Sequence, residues 1–178
     1  NQDVVMALNA VKVRHHKLFL GNGDGTFIAP KKITGGNQSS FITHFDMNQD
    51  GKLDLIASSP MKDSLSIYLG DGKGGFSKQA DFAGEKGPHN IIAGDFTGDN
   101  IPDVVVCNRR GGTISVIPGR GDGSFVYPHY NYLVGSQPRS ITGADFNQDG
   151  MMDIAVVLYQ KQILEVFLRK ANVPLDDA

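Results

Sequence analysis

The chain has one cysteine, no tryptophan and no long apolar run, and these features limit the classes of fold and of partner that it can have. A single cysteine, Cys107, excludes a disulfide within one chain, and the apolar run Val104-Val105-Val106-Cys107 predicts a buried thiol. No apolar run reaches the roughly 18 residues of a membrane-spanning helix. A net charge of -2 gives no reason to expect nucleic acid or an anionic membrane as a partner. We therefore expect neither nucleic-acid binding nor membrane insertion.

Acidic residues concentrate in one phrase that occurs three times. Nine of the nineteen Asp and Glu residues lie in it. The first Asp of the second copy follows that of the first by 49 residues, and the third follows by 50. A period of about 50 residues indicates stacked units of one supersecondary structure. The copies, called acidic loops 1, 2 and 3 below, are Asp46-Met-Asn48-Gln-Asp50-Gly51-Lys52-Leu-Asp54, Asp95-Phe-Thr97-Gly-Asp99-Asn100-Ile101-Pro-Asp103 and Asp145-Phe-Asn147-Gln-Asp149-Gly150-Met151-Met-Asp153.

A second phrase recurs with the same period and predicts a β-hairpin. Each copy is an apolar run, a turn of Gly and Asp, and then an aromatic residue, and glycine supplies the positive φ angles of the turn. Each unit contains four apolar runs of five to nine residues, too short for helices and rich in β-branched residues. The predicted order is inner strand, acidic loop, second strand, third strand, hairpin and outer strand. The hairpin copies begin at Leu18, Ile67 and Val116 and end at Phe27, Phe76 and Phe125.

Four antiparallel strands in about 50 residues are typical of a propeller blade, so the predicted fold is an all-β propeller. We count roughly fourteen strands, or three and a half blades. So few blades cannot close a ring, and we expect another copy or the remainder of a longer chain to complete it. The predicted units are an incomplete first blade at 1–38 (strands two to four), a second blade at 39–87, a third at 88–137, an incomplete fourth at 138–170 (strands one to three), and a tail at 171–178.

These phrases resemble the FG-GAP repeat, also called the VCBS-type repeat, of integrin alpha-chain propellers and bacterial surface and secreted proteins. The best matches are Asp145-Phe-Asn147-Gln-Asp149-Gly150 and Leu20-Gly21-Asn-Gly-Asp-Gly25-Thr-Phe27. The resemblance covers about residues 3 to 168, and it implies Ca²⁺ in the loop between the first and second strands. It does not imply one activity, because such propellers serve adhesion, glycan binding and enzyme scaffolding.

The residues themselves also favour calcium. Three carboxylates within nine residues repel one another unless a cation intervenes, and Ca²⁺ takes six to eight oxygen ligands. Positions 1, 3, 5 and 9 of each loop offer side-chain oxygens, and position 7 offers its carbonyl. We expect three structural sites, with loop 2 the weakest because it has a threonine at position 3. The predicted ligands are Asp46, Asn48, Asp50, Lys52 and Asp54; Asp95, Thr97, Asp99, Ile101 and Asp103; and Asp145, Asn147, Asp149, Met151 and Asp153.

A protein or glycan ligand is expected at the opposite end of the blades, where the repeat leaves residue identity free. The candidate ligand-binding residues there are His89, Arg109, Arg110, Arg139 and Tyr159. The predicted function is a non-catalytic recognition or adhesion scaffold in an extracellular, cell-surface or periplasmic setting, where calcium is abundant. The alternatives are the propeller of a secreted polysaccharide lyase or hydrolase, and a purely architectural repeat. No catalytic triad can be assembled from the sequence.

Overall fold

The computed structural model describes residues 2–8, 15–35, 38–135 and 137–170, and within these ranges the chain forms fifteen strands and no helix. The predicted tail therefore lies outside the described residues. No helix in the described ranges has the length and apolar character required to cross a bilayer. The all-β prediction is confirmed.

The strands form four antiparallel sheets, and each sheet follows chain order from strand to strand. Sheet I contains β1 (Val4–Met6), β2 (His15–Phe19) and β3 (Lys31–Thr34). Sheet II contains β4 (Phe41–Phe45), β5 (Asp54–Ser59), β6 (Ser64–Gly70), β7 (Phe76–Lys78) and β8 (Phe82–Ala83). Sheet III contains β9 (Pro88–Gly94), β10 (Asp103–Asn108), β11 (Thr113–Ile117) and β12 (Tyr130–Leu133). Sheet IV contains β13 (Pro138–Ala144), β14 (Asp153–Leu158) and β15 (Ile163–Phe167).

Three apolar cores lie between consecutive sheets. The first contains Leu18 and Tyr68, the second Ile67 and Val104, and the third Val105 and Ile154. Because sheets II and III have a core on both faces, every residue of β5 and β10 is buried. Burial on both faces explains why the central parts of these strands, Leu55–Ala57 and Val104–Cys107, are continuous apolar runs that do not alternate with polar residues. The free Cys107 thiol is buried in the third core, as predicted.

The inner strands β4, β9 and β13 lie side by side, which places one edge of sheets II, III and IV along a common line. Sheets I and IV have three strands each, and their outward faces lack a neighbouring sheet among the described residues. Leu164 of β15 is consequently 61% exposed. The division of the chain into residue ranges for each blade stays a prediction.

The outer strands depart from the predicted pattern. In sheet III the outer strand begins at Tyr130, and Phe125 forms only an isolated bridge with Gly119. Pro128 lies between them and has no N–H group for a ladder hydrogen bond, which shortens the strand. In sheet II the outer strand is split into β7 and β8, which both pair with β6. This split raises the strand number from roughly fourteen to fifteen.

Candidate metal centre

Acidic loop 1 is a tight turn held by its own first carboxylate. Asp46 Oδ1 and Oδ2 accept the backbone N–H groups of Asp50 (3.0 Å) and Gly51 (2.8 Å). Asn48 Oδ1 also accepts the Asp50 N–H at 3.2 Å. The Lys52 ammonium lies 3.0 Å from Asp50 Oδ2, and this contact lowers the pKa of the Asp50 carboxyl. Loop 1 therefore already holds one positive charge beside its carboxylates.

Acidic loop 3 has the same backbone geometry. Asp145 accepts the N–H groups of Asp149 (3.0 Å) and Gly150 (2.8 Å), and Asn147 Oδ1 accepts the Asp149 N–H at 3.1 Å. The repeated phrase thus folds into the same turn twice. Position 4 has a positive φ in both loops, at Gln49 (57°) and Gln148 (61°), as does the glycine at position 6.

Acidic loop 2 brings three carboxylates together. One oxygen from each of Asp95, Asp99 and Asp103 lies within 4.8 Å of the others. Thr97 Oγ1 is buried there, and its side chain interacts with the Asp103 carboxylate. Oxygen-only donors are the preference of Ca²⁺. The residues of loop 2 therefore fit the cation that the resemblance implies, and Asn100 at position 6 adopts a φ of 64° in place of glycine.

The seventh position of each loop was predicted to offer its carbonyl. In all three loops the N–H group of that residue donates to the carboxylate two residues earlier: Lys52 to Asp50 (3.0 Å), Ile101 to Asp99 (2.8 Å) and Met151 to Asp149 (2.9 Å). This bond fixes the backbone between the fifth and seventh positions. The participation of these carbonyls in metal binding stays a prediction.

The ninth position has a second role that the sequence analysis missed. Asp54, Asp103 and Asp153 are fully buried, and each begins the second strand of its sheet. One oxygen accepts an N–H group of its own acidic loop, at 2.9 Å from Met47, Phe96 and Phe146 respectively. The other oxygen accepts the N–H group of a residue 16 positions later, at the end of the third strand: Gly70 (2.8 Å), Gly119 (3.0 Å) and Arg169 (2.8 Å). Burial raises the pKa of the Asp103 carboxyl, and these backbone N–H groups oppose that rise.

Glycine is required where the hairpin begins, for a steric reason. A Cβ atom on Gly70 or Gly119 would lie 2.1 or 2.0 Å from the carbonyl oxygen of Leu53 or Pro102, immediately before the buried aspartate. Sheet I repeats the arrangement, since Gly21 donates to Asp3 Oδ1 at 2.9 Å. The equal spacing of 16 residues in Asp54–Gly70 and Asp103–Gly119 was the signal in the sequence that could have revealed this joint.

The family assignment follows from these repeated loops and hairpins. The FG-GAP-like repeat family matches residues 46–106 and 95–156. The chain belongs to this family. Each match begins at the first aspartate of an acidic loop and extends past the next one, so the repeat unit of the family is the unit seen in the structure. The described residues form a partial β-propeller.

Two known proteins resemble this FG-GAP-like chain. A T-cell immunomodulatory protein homolog from Plasmodium yoelii yoelii is 30% identical over 134 residues, which cover 62% of this chain and 19% of that protein. A chain in the crystal structure of BBS1N in complex with ARL6DN, soaked with lead, aligns with a TM-score of 0.50 at 13% identity. This alignment covers 90% of the present chain and 54% of the other. The chain thus spans about a fifth of its curated relative and half of its structural neighbour.

The opposite end of the FG-GAP-like sheets contains the predicted ligand-binding residues. His89 and Arg139 lie at the starts of the inner strands β9 and β13, and Arg109 and Tyr159 lie in the turns after β10 and β14. The Arg139 guanidinium carbon is 3.7 Å from the centroid of the Tyr159 ring. Burial, and then the positive charges of Arg109 and Arg139, lower the pKa of His89. The structure therefore brings these four residues into one neighbourhood.

Arg110 has a different environment. One of its terminal nitrogens contacts Asp63 Oδ1 at 2.5 Å and the Pro60 carbonyl at 2.6 Å, both in the turn between β5 and β6. Asp63 Oδ1 also accepts the Gly87 N–H at 2.8 Å. Arg110 consequently connects sheets II and III, so the sequence analysis missed its role as a cross-sheet contact.

Proposed function

We propose that this chain is a calcium-binding propeller segment that acts as a non-catalytic scaffold for recognition of a protein or glycan ligand. The observation that carries the proposal is the loop 2 cluster, where three carboxylates converge beside the buried Thr97 hydroxyl. The corresponding aspartates of loops 1 and 3 lie in the same repeat; their carboxylates do not converge among the described residues, and a bound cation would draw them together. Bound Ca²⁺ would neutralise carboxylates that otherwise repel one another.

The buried ninth-position aspartates support a structural role for the cation. Each already connects an acidic loop to the second strand and to the end of the third strand. A cation that immobilises the acidic loop would therefore also stabilise the contact between that loop, the second strand and the end of the third strand. The loops contact the next sheet as well, since Gln49 Nε2 donates to the Asn100 carbonyl at 2.9 Å.

A non-catalytic role is favoured over the alternative of a secreted polysaccharide lyase or hydrolase propeller. Glycoside hydrolysis generally uses two carboxylates on either side of the scissile bond. The end of the sheets that presents variable residues instead has basic groups, and within the described chain no carboxylate lies within 4 Å of Arg109 or Arg139. The proposed setting is extracellular, cell-surface or periplasmic, because sites of this kind bind Ca²⁺ with a Kd of about 0.1 to 1 mM.

Calorimetry of the 178-residue chain tests the calcium proposal. At tenfold saturation each site should add about 1.4 kcal/mol of stability, so three sites should raise the Tm by several degrees relative to EDTA. Titration should also give about three ions per chain. Mg²⁺ at the same concentration serves as the control, because it prefers octahedral coordination and retains water. A Tm that is the same in Ca²⁺ and in EDTA would refute the proposal.

A further inference from the structure

The turns at the end opposite the acidic loops have a strong excess of positive charge. They comprise residues 60–63, 84–89, 109–112, 137–139 and 159–162. Two carboxylates lie in these segments: Asp63, and Glu85, which accepts a hydrogen bond from Asn131 Nδ2 at 2.9 Å. The cationic residues are Lys62, Lys86, Arg109, Arg110, Arg139 and Lys161. Since nine aspartates occupy the acidic loops at the other end, the charges of the sheets are separated along their length.

Arg110 shows how a guanidinium is satisfied in this region, through Asp63 and the Pro60 carbonyl. Arg109 and Arg139 have no equivalent. Within the described chain neither forms an ion pair or a side-chain hydrogen bond, although Arg139 Nε is buried. His89 lies near both; its Nδ1 is buried and unpartnered, although its ring also hydrogen-bonds to the backbone of Arg139. Two guanidinium groups thus lie beside this histidine without a carboxylate acceptor.

The two guanidinium charges repel each other, and an anion bound between them would relieve that repulsion. A planar carboxylate can accept two parallel N–H groups from one guanidinium, and charge-assisted bonds of this type are about twice as strong as neutral ones. The Arg139 guanidinium is already oriented by the Tyr159 ring, so less side-chain freedom is lost when it binds. The guanidinium groups are therefore preorganised to donate hydrogen bonds to an anionic acceptor.

We propose that His89, Arg109 and Arg139 bind a carboxylate side chain of a partner protein, presented in a short acidic segment with apolar residues beside it. This inference rests on the proposed recognition function and specifies its ligand. Two exposed apolar side chains flank the basic groups: Met61 (71% exposed) on sheet II and Tyr159 (54% exposed) on sheet IV. Arg, Tyr and Met are enriched at protein interfaces, in which a polar group is surrounded by apolar contacts.

The same surface is less suited to an anionic glycan. Sugar rings bind to open aromatic faces, and the Arg139 guanidinium covers one face of Tyr159. The chain has no tryptophan to supply another platform. A carboxylate with apolar neighbours is accordingly the ligand whose chemistry matches all the groups present.

Fluorescence anisotropy with the full chain and two labelled peptides tests this inference. The probe is Gly-Ser-Leu-Asp-Glu-Leu-Gly-Ser, and the comparison peptide has Asn-Gln in place of Asp-Glu. We expect the acidic peptide to bind with a Kd below about 1 mM and the amide peptide to bind at least about tenfold more weakly. Raising NaCl from about 50 to 300 mM should weaken the acidic peptide, because part of the attraction is screened.

Variants locate the site. Arg109→Gln and Arg139→Gln should each weaken the acidic peptide by about tenfold, whereas Lys73→Gln, which removes one charge from an exposed hairpin at the other end, should leave it unchanged. Equal binding of both peptides, no binding at about 1 mM, or an equal effect of all three variants would overturn the inference. Tighter binding of a heparin-derived octasaccharide that displaces the peptide would overturn it too. Calcium-dependent stability would persist in each of these cases, so failure here is separable from failure of the calcium proposal.

Discussion

The ninth-position aspartate combines two functions in one side chain. Asp103 accepts N–H groups from Phe96, Thr97 and Gly119, so its carboxylate remains fully engaged without any cation. Asp99 is exposed and accepts only the N–H group of Ile101. Both are candidate ligands, but only one is also a structural joint.

Substitution by asparagine separates the two functions. In Asp103→Asn the new amide group would face a backbone donor, and a buried donor without an acceptor costs about 1–3 kcal/mol. Asp99→Asn retains the acceptor for Ile101 and should change stability by no more than about 0.5 kcal/mol. Urea unfolding in EDTA measures both values without a contribution from Ca²⁺. Equal losses in the two variants would contradict the structural role of Asp103.

His16 is a buried histidine with no hydrogen-bond partner on either ring nitrogen. It lies edge-on to Tyr68, with the centroids of the two rings 5.4 Å apart. Burial, followed by the charges of His15 and Lys78, lowers its pKa from 6.5 to about 4. A histidine in a short strand carries no sequence signal of which face it occupies, so this burial is visible only in the structure.

Acid should therefore destabilise the contact between sheets I and II. Above pH 6.5 His16 is neutral in both the folded and unfolded chains, so it adds no pH dependence. As pH falls towards 4 the unfolded chain binds a proton that the folded chain excludes, and stability should fall by about 3 kcal/mol. His16→Phe should reduce this loss, and His15→Gln is the matched control. Identical slopes of unfolding free energy against pH in His16→Phe and the parent chain would contradict the assignment.

At the scale of the element, the hairpin after the third strand begins where its backbone closely approaches the end of the acidic loop. A Cβ on Gly119 would lie 2.0 Å from the Pro102 carbonyl oxygen, whereas a Cβ on Gly111 would meet its neighbours at 3.4 Å or more. Arg169 replaces this glycine in sheet IV, where the hairpin phrase is absent. The glycine is therefore tied to the hairpin and not merely to the repeat period.

Alanine at the two glycines should have unequal effects. Gly119→Ala requires the hairpin to move away from Asp103, and overpacking of this kind costs about 3 kcal/mol. Gly111→Ala has an ordinary contact distance and should cost less than about 1 kcal/mol. Thermal unfolding of both variants measures the difference. A Gly119→Ala variant as stable as Gly111→Ala would show that the hairpin does not depend on this approach.

The sequence predicted the elements well because the signals that define them are local. Acidic loops and glycine turns bound each strand, and the central parts of β5 and β10 follow as continuous apolar runs. Contacts between distant residues were not predictable in the same way. The Arg110–Asp63 ion pair joins residues 47 positions apart, and the split of the outer strand in sheet II depends on how β6 pairs twice. Such features depend on which surfaces meet after the sheets have formed.

For the candidate site, residue type and spacing predicted the three acidic loops, but they did not predict how the carboxylates are arranged within each loop. All three loops have aspartate at positions 1, 5 and 9, yet only in loop 2, among the described residues, do the three carboxylates converge within 4.8 Å. Threonine at position 3 was expected to weaken this loop, and that ranking stays a prediction. The orientation of each carboxylate depends on its hydrogen bonds, which composition does not specify.

At the scale of the whole molecule, the sheets differ in how much of their surface is covered. Each residue of β10 is buried because sheet III has a neighbour on both sides. In β15, Ile163, Leu164 and Val166 are 42%, 61% and 46% exposed. Local opening requires less free energy where fewer apolar contacts are lost. Stability should therefore decrease from the middle of the stack towards sheet IV.

Hydrogen exchange measured by mass spectrometry tests this gradient in the isolated chain. Amides of β10 should exchange most slowly, near the rate of global unfolding, and amides of β15 much faster. Ca²⁺ should slow exchange in β5 and β10 more than in β15, because acidic loops 1 and 2 contact both of these strands through Asp54 and Asp103. The comparison of Ca²⁺ with EDTA on one sample is its own control. Equal protection of β10 and β15 would mean that the stack unfolds as a single cooperative unit, and that exposure of the outer face of sheet IV has no effect on its local stability.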